Sequence, residues 1–433
     1  MTTPVIARRW TNWGGNQQAQ ATEILTPGTV DEVAAQVKEA SGSGRRVKVV
    51  GSGHSFTAIA VADDQRLFLH RLAGLISIDG PLVTVQAGMP LHVLNALLAE
   101  HGLAMPNLGD IDQQTVAGAI STGTHGTGAS HATLASCVEG VKLVTGSGDV
   151  LEVGKDDPIF PAARLGLGAL GILVEVTLRC TEAFNLLADE RPMALADVLA
   201  GLDDWIPAND HIEFFWYPYT DRAQLKINNR VPEHDRPLSR FRGWMDDEFL
   251  SNTVFEAICR LGRAAPGTVP RISAVAARAL TARTYTGRSD QVFCTPRRVR
   301  FTEMEYEIPR AALPEVISAL PRIIDGLPFK VQFPVEVRFT GPDDVWLSHG
   351  YGRDSAYVAV HQFTGVEYEP YFRAVEALCQ PLGGRPHWGK LHYRSADDLR
   401  PAYEKFDDFV AVRDRLDPAR VFTNEYLDRV LGA

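Results

Sequence analysis

The hydrophobic pattern changes texture near residue 185. Before it, short apolar runs alternate with glycine-rich tracts. Val30, Val33, Ala34, Val37 and Ala40 recur at helical spacing after Pro27-Gly28-Thr29, and Ser41-Gly42-Ser43-Gly44 ends that helix. Val47 to Val50 reads as a short buried strand, Leu67 to Leu69 and Leu82 to Ala87 as further strands, and Leu91 to His101 as a helix closed by Gly102. Val138 to Val144 and Asp149 to Val153 predict a hairpin across Gly146-Ser147-Gly148.

After residue 185 glycine thins out and aromatic strands appear at 211–218, 300–308, 331–339 and 356–363. Helical patterns at 195–202, 311–320 and 370–379 lie between them, which predicts an antiparallel sheet covered by helices and an α+β class overall. In the strand 331–339, Glu336 and Arg338 share one face, with Phe333, Val335, Val337 and Phe339 on the other. Taken alone, Glu336 and Arg338 describe a surface ion pair on a half-exposed strand. Pro232 to Trp244 reads as a charged surface loop. Arg385 to Tyr393 packs two histidines, a tryptophan and a lysine into one non-helical tract, and Pro418 stops a helix near the end.

At 433 residues the chain is too long for one core, so two domains are expected, or three. A net charge of −10 without a Lys/Arg block argues against a nucleic-acid partner. The five cysteines are scattered and form no Cys-x-x-Cys pair, which supports neither a disulfide framework nor a zinc knuckle and points to a reducing compartment, the cytoplasm. Arg8-Arg9 lacks the apolar segment that a twin-arginine signal needs, and no window reaches the roughly 18 apolar residues of a membrane span.

Three tracts carry candidate chemistry. The strand Val47 to Val50 runs straight into Gly51-Ser52-Gly53-His54-Ser55, where small side chains let backbone N–H groups crowd around an anion, although such a sequence also makes a plain tight turn. It lacks both the Gly-Lys-Ser/Thr of a nucleotide-triphosphate loop and the third glycine of the dinucleotide fingerprint. In the second tract, Asn107 to Gly128, glycines recur among hydroxyls from Thr115 on, and a flat ligand can lie against such a wall. The interleaved Ile111, Val116 and Ile120 need burial, which argues against a flexible linker. His125 has no partner at metal-ligand spacing and reads as a structural histidine. The third tract, Leu165 to Leu178, suits backbone contacts with a nucleotide and equally a glycine-bearing junction into a strand.

Val-Gly-Ser-Gly-His-Ser-Phe at 50–56, Ser-Thr-Gly-Thr-His-Gly-Thr-Gly at 121–128, His-Trp-Gly-Lys at 387–390 and the late Leu-Asp-Pro-x-Arg-Val-Phe, in that order, resemble the aldonolactone and alditol oxidase branch of the vanillyl-alcohol-oxidase-type flavoproteins. The resemblance implies a two-domain fold, with an FAD-binding domain at 1–184, an antiparallel-sheet cap or substrate domain at 185–380, and a segment at 381–433 that returns to the FAD domain and active site. It implies FAD bound covalently through His54. Gly51, Ser52, Gly53 and Ser55 would hold the pyrophosphate, and Gly109, Asp110, Ser121, Thr122, Gly123, Thr124, His125 and Gly126 would lie along the flavin. Ile172 would contact the adenine side.

The same resemblance assigns catalysis to Glu336, Arg338 and Lys390. Lys390 would stabilise the charge that gathers near flavin N1 and the C2 carbonyl. Arg338 would support it and orient the substrate, and Glu336 would bind substrate hydroxyls. Asp110, His361 and Phe363 complete the implied substrate site. His361 is a candidate for the proton-accepting base, although the residue alone reads as a core histidine. The implied reaction is oxidation of an aldono-1,4-lactone of the L-gulono-1,4-lactone type at C2, by hydride transfer to flavin N5. Its 2-keto product enolises to an ascorbate-type enediol. By the resemblance, alditol-oxidising relatives carry threonine and serine at the positions of Phe363 and Asp110, which favours a lactone over an alditol such as xylitol. Gly109 leaves open a space that the family's dehydrogenases can fill with alanine, which favours dioxygen as acceptor and hydrogen peroxide as product over a dehydrogenase.

Overall fold

The computed structural model describes residues 9–433, apart from the side chain of Arg240, so Met1 to Arg8 fall outside the account. Its largest element is an eight-stranded sheet in the order Arg283–Arg288, Asn185–Ala194, Arg222–Val231, His211–Trp216, Val335–Thr340, Ser355–Phe363, Phe301–Pro309 and Arg385–Pro386. Every pairing is antiparallel. The four strands expected from the sequence are its contiguous centre.

Two-residue alternation gives this sheet two unlike faces. Ile212, Phe214, Leu225, Met304, Tyr306, Val335, Val337, Phe339, Val358 and Val360 point one way. They pack with residues of the helices Leu195–Ala208, Leu313–Asp325 and Glu369–Cys379. The alternate positions place Glu213, Glu303, Glu305, Glu336, Arg338 and His361 on the other face, and all six are buried as well. The reading of Glu336 and Arg338 as a surface pair is therefore overturned: the rest of the chain covers that face.

Residues before Asn185 form a three-stranded parallel sheet, ordered Glu23–Leu25, Gln65–Leu67, Val47–Val49, and a five-stranded antiparallel one. The latter runs Val150–Gly154, Val138–Val144, Ile172–Arg179, Leu82–Gln86, Leu75–Asp79. The helix Val30–Gly42 buries Val33, Val37 and Ala40 under the parallel sheet.

The end of the chain comes back to this half. Trp388, Leu399, Phe406, Phe409 and Leu427 share a core with Val83, Leu94 and Leu143, and Val421 and Phe422 share one with Val47 and Ile172.

Some local expectations shift. Phe333 leaves its predicted face because the strand starts only at Val335; it packs with Cys259, Val299 and Phe363 instead. The strand near Leu67 spans Gln65–Leu67. The predicted loop ending at Trp244 becomes helical from Arg240. The small-residue tract contains a short helix, Val116–Ser121, whose first turn is capped by Thr115 Oγ1 accepting from Gly118 N at 3.1 Å.

Trp388 is completely buried, stacks on Tyr403 at 5.1 Å between ring centroids, and donates Nε1–H to Leu347 O at 2.7 Å. Trp388→Ala removes that packing and should cost about 3–5 kcal/mol, read as a fall in the thermal midpoint, with Trp388→Phe falling less. An unchanged midpoint in Trp388→Ala would contradict the assigned packing.

Candidate active site

A cavity in the first half gathers Gly51 to Ser55, Gly118, Ser121, Thr122, Gly166 to Gly168 and Ile172, with Lys48 and Phe422 in its wall. Among the described residues, no N–H from Gly51 to Ser55 donates to a protein acceptor. Gly53 sits at φ +72°, and a Cβ on Gly51 would lie 2.7 Å from Thr115 Oγ1, so the loop needs both glycines to keep this shape. Consecutive unpartnered N–H groups facing a glycine-lined groove fit a pyrophosphate. The residues thus suit a dinucleotide such as FAD.

Not every predicted ligand residue lines that cavity. Gly109 and Asp110 stand at the charged face of the large sheet, where Arg297 holds Asp110 Oδ2 through Nε at 3.2 Å and Nη2 at 2.9 Å. Gly123 packs against His349, and a Cβ on Gly126 would lie 2.2 Å from Leu108 O. Thr124 accepts from Gln114 Nε2 at 3.0 Å.

His125 is buried behind this wall. It stacks on Tyr357 at 3.7 Å and reaches Glu305 Oε1 through Nε2 at 3.0 Å. His125, Glu305 and His387 lie close enough to suggest a metal, but the proton positions oppose it. Gly389 N–H donates to His387 Nδ1 at 3.0 Å, and burial keeps this imidazole neutral, so its proton occupies Nε2 and blocks that nitrogen from ligating.

Lys390 and the charged face meet beside Phe56, whose ring centroid is 5.4 Å from Lys390 Nζ. Glu303 holds the ammonium in an ion pair and also faces His361 Nε2 at 3.4 Å. Arg338 pairs with Glu336, donates to Glu213 at 2.9 Å and stands 3.8 Å from Asp110. Lys226 completes the row, 3.2 Å from Glu213. The structure thus unites Asp110, Glu336, Arg338, His361 and Lys390 in one constellation. It leaves Phe363 in the apolar cluster with Cys259 and Phe333.

Glu303, Glu213 and Arg297 escaped the sequence reading. Glu303, Glu305 and Glu307 sit at alternate positions of an otherwise apolar strand, and that was the available signal.

Electrostatics differ along this row. Burial, with Asp110 and Glu213 nearby, pushes the Glu336 carboxyl up to about 7 against the pull of Arg338. Burial also opposes ionisation of Asp110, yet Arg297, Arg338 and Lys390 hold it well below the ordinary carboxylate range. Lys390 loses hydration, but Glu303 and Glu305 keep it protonated and raise its pKa. For His54, burial and then the positive charges of Lys390 and Arg300 bring the imidazole down to about 4, so it is neutral at physiological pH.

A carboxyl whose pKa is higher folded than unfolded keeps its proton better when folded, so its contribution to stability falls as pH rises from the ordinary carboxyl range through about 7. Glu336→Gln, fixed in the neutral form, escapes this loss. Its melting temperature relative to wild type should climb between about pH 5 and about pH 8; a difference that stays constant would contradict the assignment.

Comparison with known proteins agrees with this geometry. A family model described as "FAD binding domain" matches residues 21–154, and one described as "D-arabinono-1,4-lactone oxidase" matches residues 176–430. L-gulono-1,4-lactone dehydrogenase of Mycobacterium tuberculosis is 42% identical, over 98% of this chain and 99% of the relative. L-gulonolactone oxidase of Bos taurus is 31% identical over 98% of both chains. Alditol oxidase of a Streptomyces species is 30% identical over 97% and 98%. Among solved structures, a cholesterol oxidase of Brevibacterium sterolicum superposes with a TM-score of 0.83 at 18% identity, over 98% and 97% of the two chains, a likeness of fold. With a glycine loop whose N–H groups lack protein acceptors among the described residues, a charged sheet face around Lys390 and a family match over more than half its length, the chain belongs to the D-arabinono-1,4-lactone oxidase family, on the vanillyl-alcohol-oxidase-type FAD-binding fold.

Proposed function

We propose that the protein oxidises an aldono-1,4-lactone of the L-gulono-1,4-lactone type at C2, with FAD attached through His54. The observation that carries this reading is the Lys390 ammonium clamped by buried Glu303 beside Arg338, Glu336 and Asp110. Residues 1–184 and 381–433 serve as the FAD-binding part, and 185–380 as the cap. FAD, when bound, would supply the two-electron acceptor for the hydride. Gly51 to Ser55 hold the pyrophosphate with their N–H groups. Lys390 would offer a fixed cation to the negative charge that the flavin gathers on reduction, an effect worth most where water is excluded. Arg338 and Glu336 orient the lactone hydroxyls, Glu336 donating when protonated.

For His361 to accept the C2 hydroxyl proton, the lactone must reach an Nδ1 that is buried in the structure. The His361 Nε2 faces the Glu303 carboxylate, which places the lone pair on Nδ1, and Nδ1 has no hydrogen-bond partner among the described residues.

Two readings of the electron acceptor follow from different observations. Gly109 carries no side chain where the family's dehydrogenases can carry alanine, which favours dioxygen, with hydrogen peroxide as product; the 42% identical relative is a dehydrogenase and favours another acceptor. The cytoplasm remains our proposed compartment. All five cysteines are free, and no described helix is long and apolar enough to cross a membrane.

Anaerobic mixing with L-gulono-1,4-lactone should bleach the flavin absorbance while xylitol leaves it yellow. Bleaching by xylitol alone would overturn the substrate assignment and favour an alditol oxidase. Rapid recovery of colour in air marks an oxidase, and slow recovery a dehydrogenase. A Cβ at Gly109 would lie 3.2 Å from His125 O and 3.5 Å from Thr124 Cγ2, a tight but accommodable fit. Gly109→Ala should therefore fold, keep lactone bleaching and slow recovery in air; unchanged recovery would remove Gly109 from the oxygen path.

A further inference from the structure

The segment Trp10 to Gln17 lies across the loop that carries His54 and takes up its outward carbonyls. Trp13 N donates to Gly53 O at 2.7 Å, and Asn12 Nδ2 donates to Ser55 O at 2.9 Å. Asn16 Nδ2 and Gln17 Nε2 both donate to Phe56 O, at 2.9 and 3.0 Å. From the opposite side Gly389 O accepts from Phe56 N at 2.7 Å. The loop is therefore held by a strap far from it in sequence, while its own N–H groups from Gly51 to Ser55 have no protein acceptor among the described residues.

The strap also carries the ring that sets the imidazole. Trp13 stacks on His54 with centroids 5.5 Å apart and planes inclined by 22°. Trp13 is itself wedged: edge-on to Phe56 at 6.2 Å and to Phe301 at 5.1 Å, with the Arg300 guanidinium 4.7 Å from its ring and donating to its carbonyl. Arg300 precedes the sheet strand that bears Glu303, so the strap ties the His54 loop to the strand that clamps Lys390.

From this geometry we propose that Trp13 is a positioning residue for His54, and that the strap Trp10 to Gln17 orders the imidazole for covalent attachment of the flavin. The proposal rests on the covalent reading above. Attachment joins an imidazole nitrogen to the flavin 8α carbon, with loss of one hydrogen from the methyl group and one from the imidazole. The two electrons and two protons released pass finally to dioxygen, which leaves as hydrogen peroxide. A neutral imidazole is needed for its lone pair to make the bond, and burial, with the adjoining Lys390 and Arg300 charges, favours that form. Stacking holds the ring plane, which a flexible loop histidine would otherwise sample at an entropic cost.

The test precipitates purified wild type, His54→Ala, Trp13→Ala and Trp13→Phe with acid and measures flavin in the supernatant and in the denatured protein. Wild type should retain its flavin and His54→Ala should release all of it. Trp13→Ala should bind FAD, as judged by its native absorbance spectrum, yet release most of it on denaturation, and Trp13→Phe should recover retention. If Trp13→Ala retains as much flavin as wild type, the positioning role is wrong while the covalent reading stands. Release by wild type would overturn both. Should Trp13→Ala not accumulate as folded protein, Arg300→Gln, which frees the Trp13 ring and carbonyl, decides in its place: increased release supports the proposal and wild-type retention overturns it.

Discussion

Burial of Trp388 fixes the place where the two halves of the chain meet, and the reactive positions depend on it. Its indole is sunk in the first core, while the backbone on either side is shared between the halves. His387 N donates to Glu305 O at 3.0 Å and Leu391 N to Glu303 O at 2.9 Å, so the turn continues the edge of the large sheet. Phe56 N donates to Gly389 O and Thr57 Oγ1 to Trp388 O, which ties the same turn to the glycine loop. Lys390 therefore stands at a set distance from both His54 and the charged sheet face. Trp388 thus anchors the backbone from which Lys390 projects.

The second constraint is electrostatic. A sheet with one apolar face and one charged face must cover the latter or leave it in water, and here it is covered. Ionised groups tolerate that only in pairs with satisfied hydrogen bonds. Asp110 has Arg297, Glu303 has Lys390, and Glu213 has both Arg338 and Lys226. Glu336 is buried and shares Arg338 with two other carboxylates, so burial first, and then the nearby Asp110 and Glu213 charges, hold its proton more tightly than those of its neighbours. The same crowding that raises its pKa gives the site a group able to donate or accept near neutral pH.

What could be read in the chain beforehand follows from the range of the interactions. The Val47 to Ser55 strand and loop were legible because a strand running into Gly-Ser-Gly is determined locally. The shared face of Glu336 and Arg338 was legible from two-residue alternation. Their burial was not, since it depends on a covering layer supplied by the other half of the chain. Glu303 hid for a related reason: in Phe-Thr-Glu-Met-Glu-Tyr-Glu-Ile the acids look like a solvated face until that layer is present. Arg222–Val231 alternates Ala223, Leu225 and Ile227 with polar residues and was readable as a strand, yet its polar content concealed it. Trp13 carried no local signal, because its partners His54, Phe56 and Phe301 are distant in sequence. The short helix Val116–Ser121 was masked by Gly118 and by the β-branched Val116 and Ile120, whose low helical propensity offsets Ala117 and Ala119.

The claim at the centre of this account is that Lys390 acts from a position imposed by Glu303. Stopped-flow measurement of anaerobic flavin reduction by L-gulono-1,4-lactone in Glu303→Gln tests it most directly, with flavin content and melting temperature as controls for folding. Glutamine preserves the side-chain shape but removes the charge that holds the ammonium. The limiting reduction rate should fall by about 10- to 100-fold, as when a fixed electrostatic stabiliser is lost, while FAD stays bound. A folded, flavin-loaded Glu303→Gln that is reduced at the wild-type rate would contradict the account.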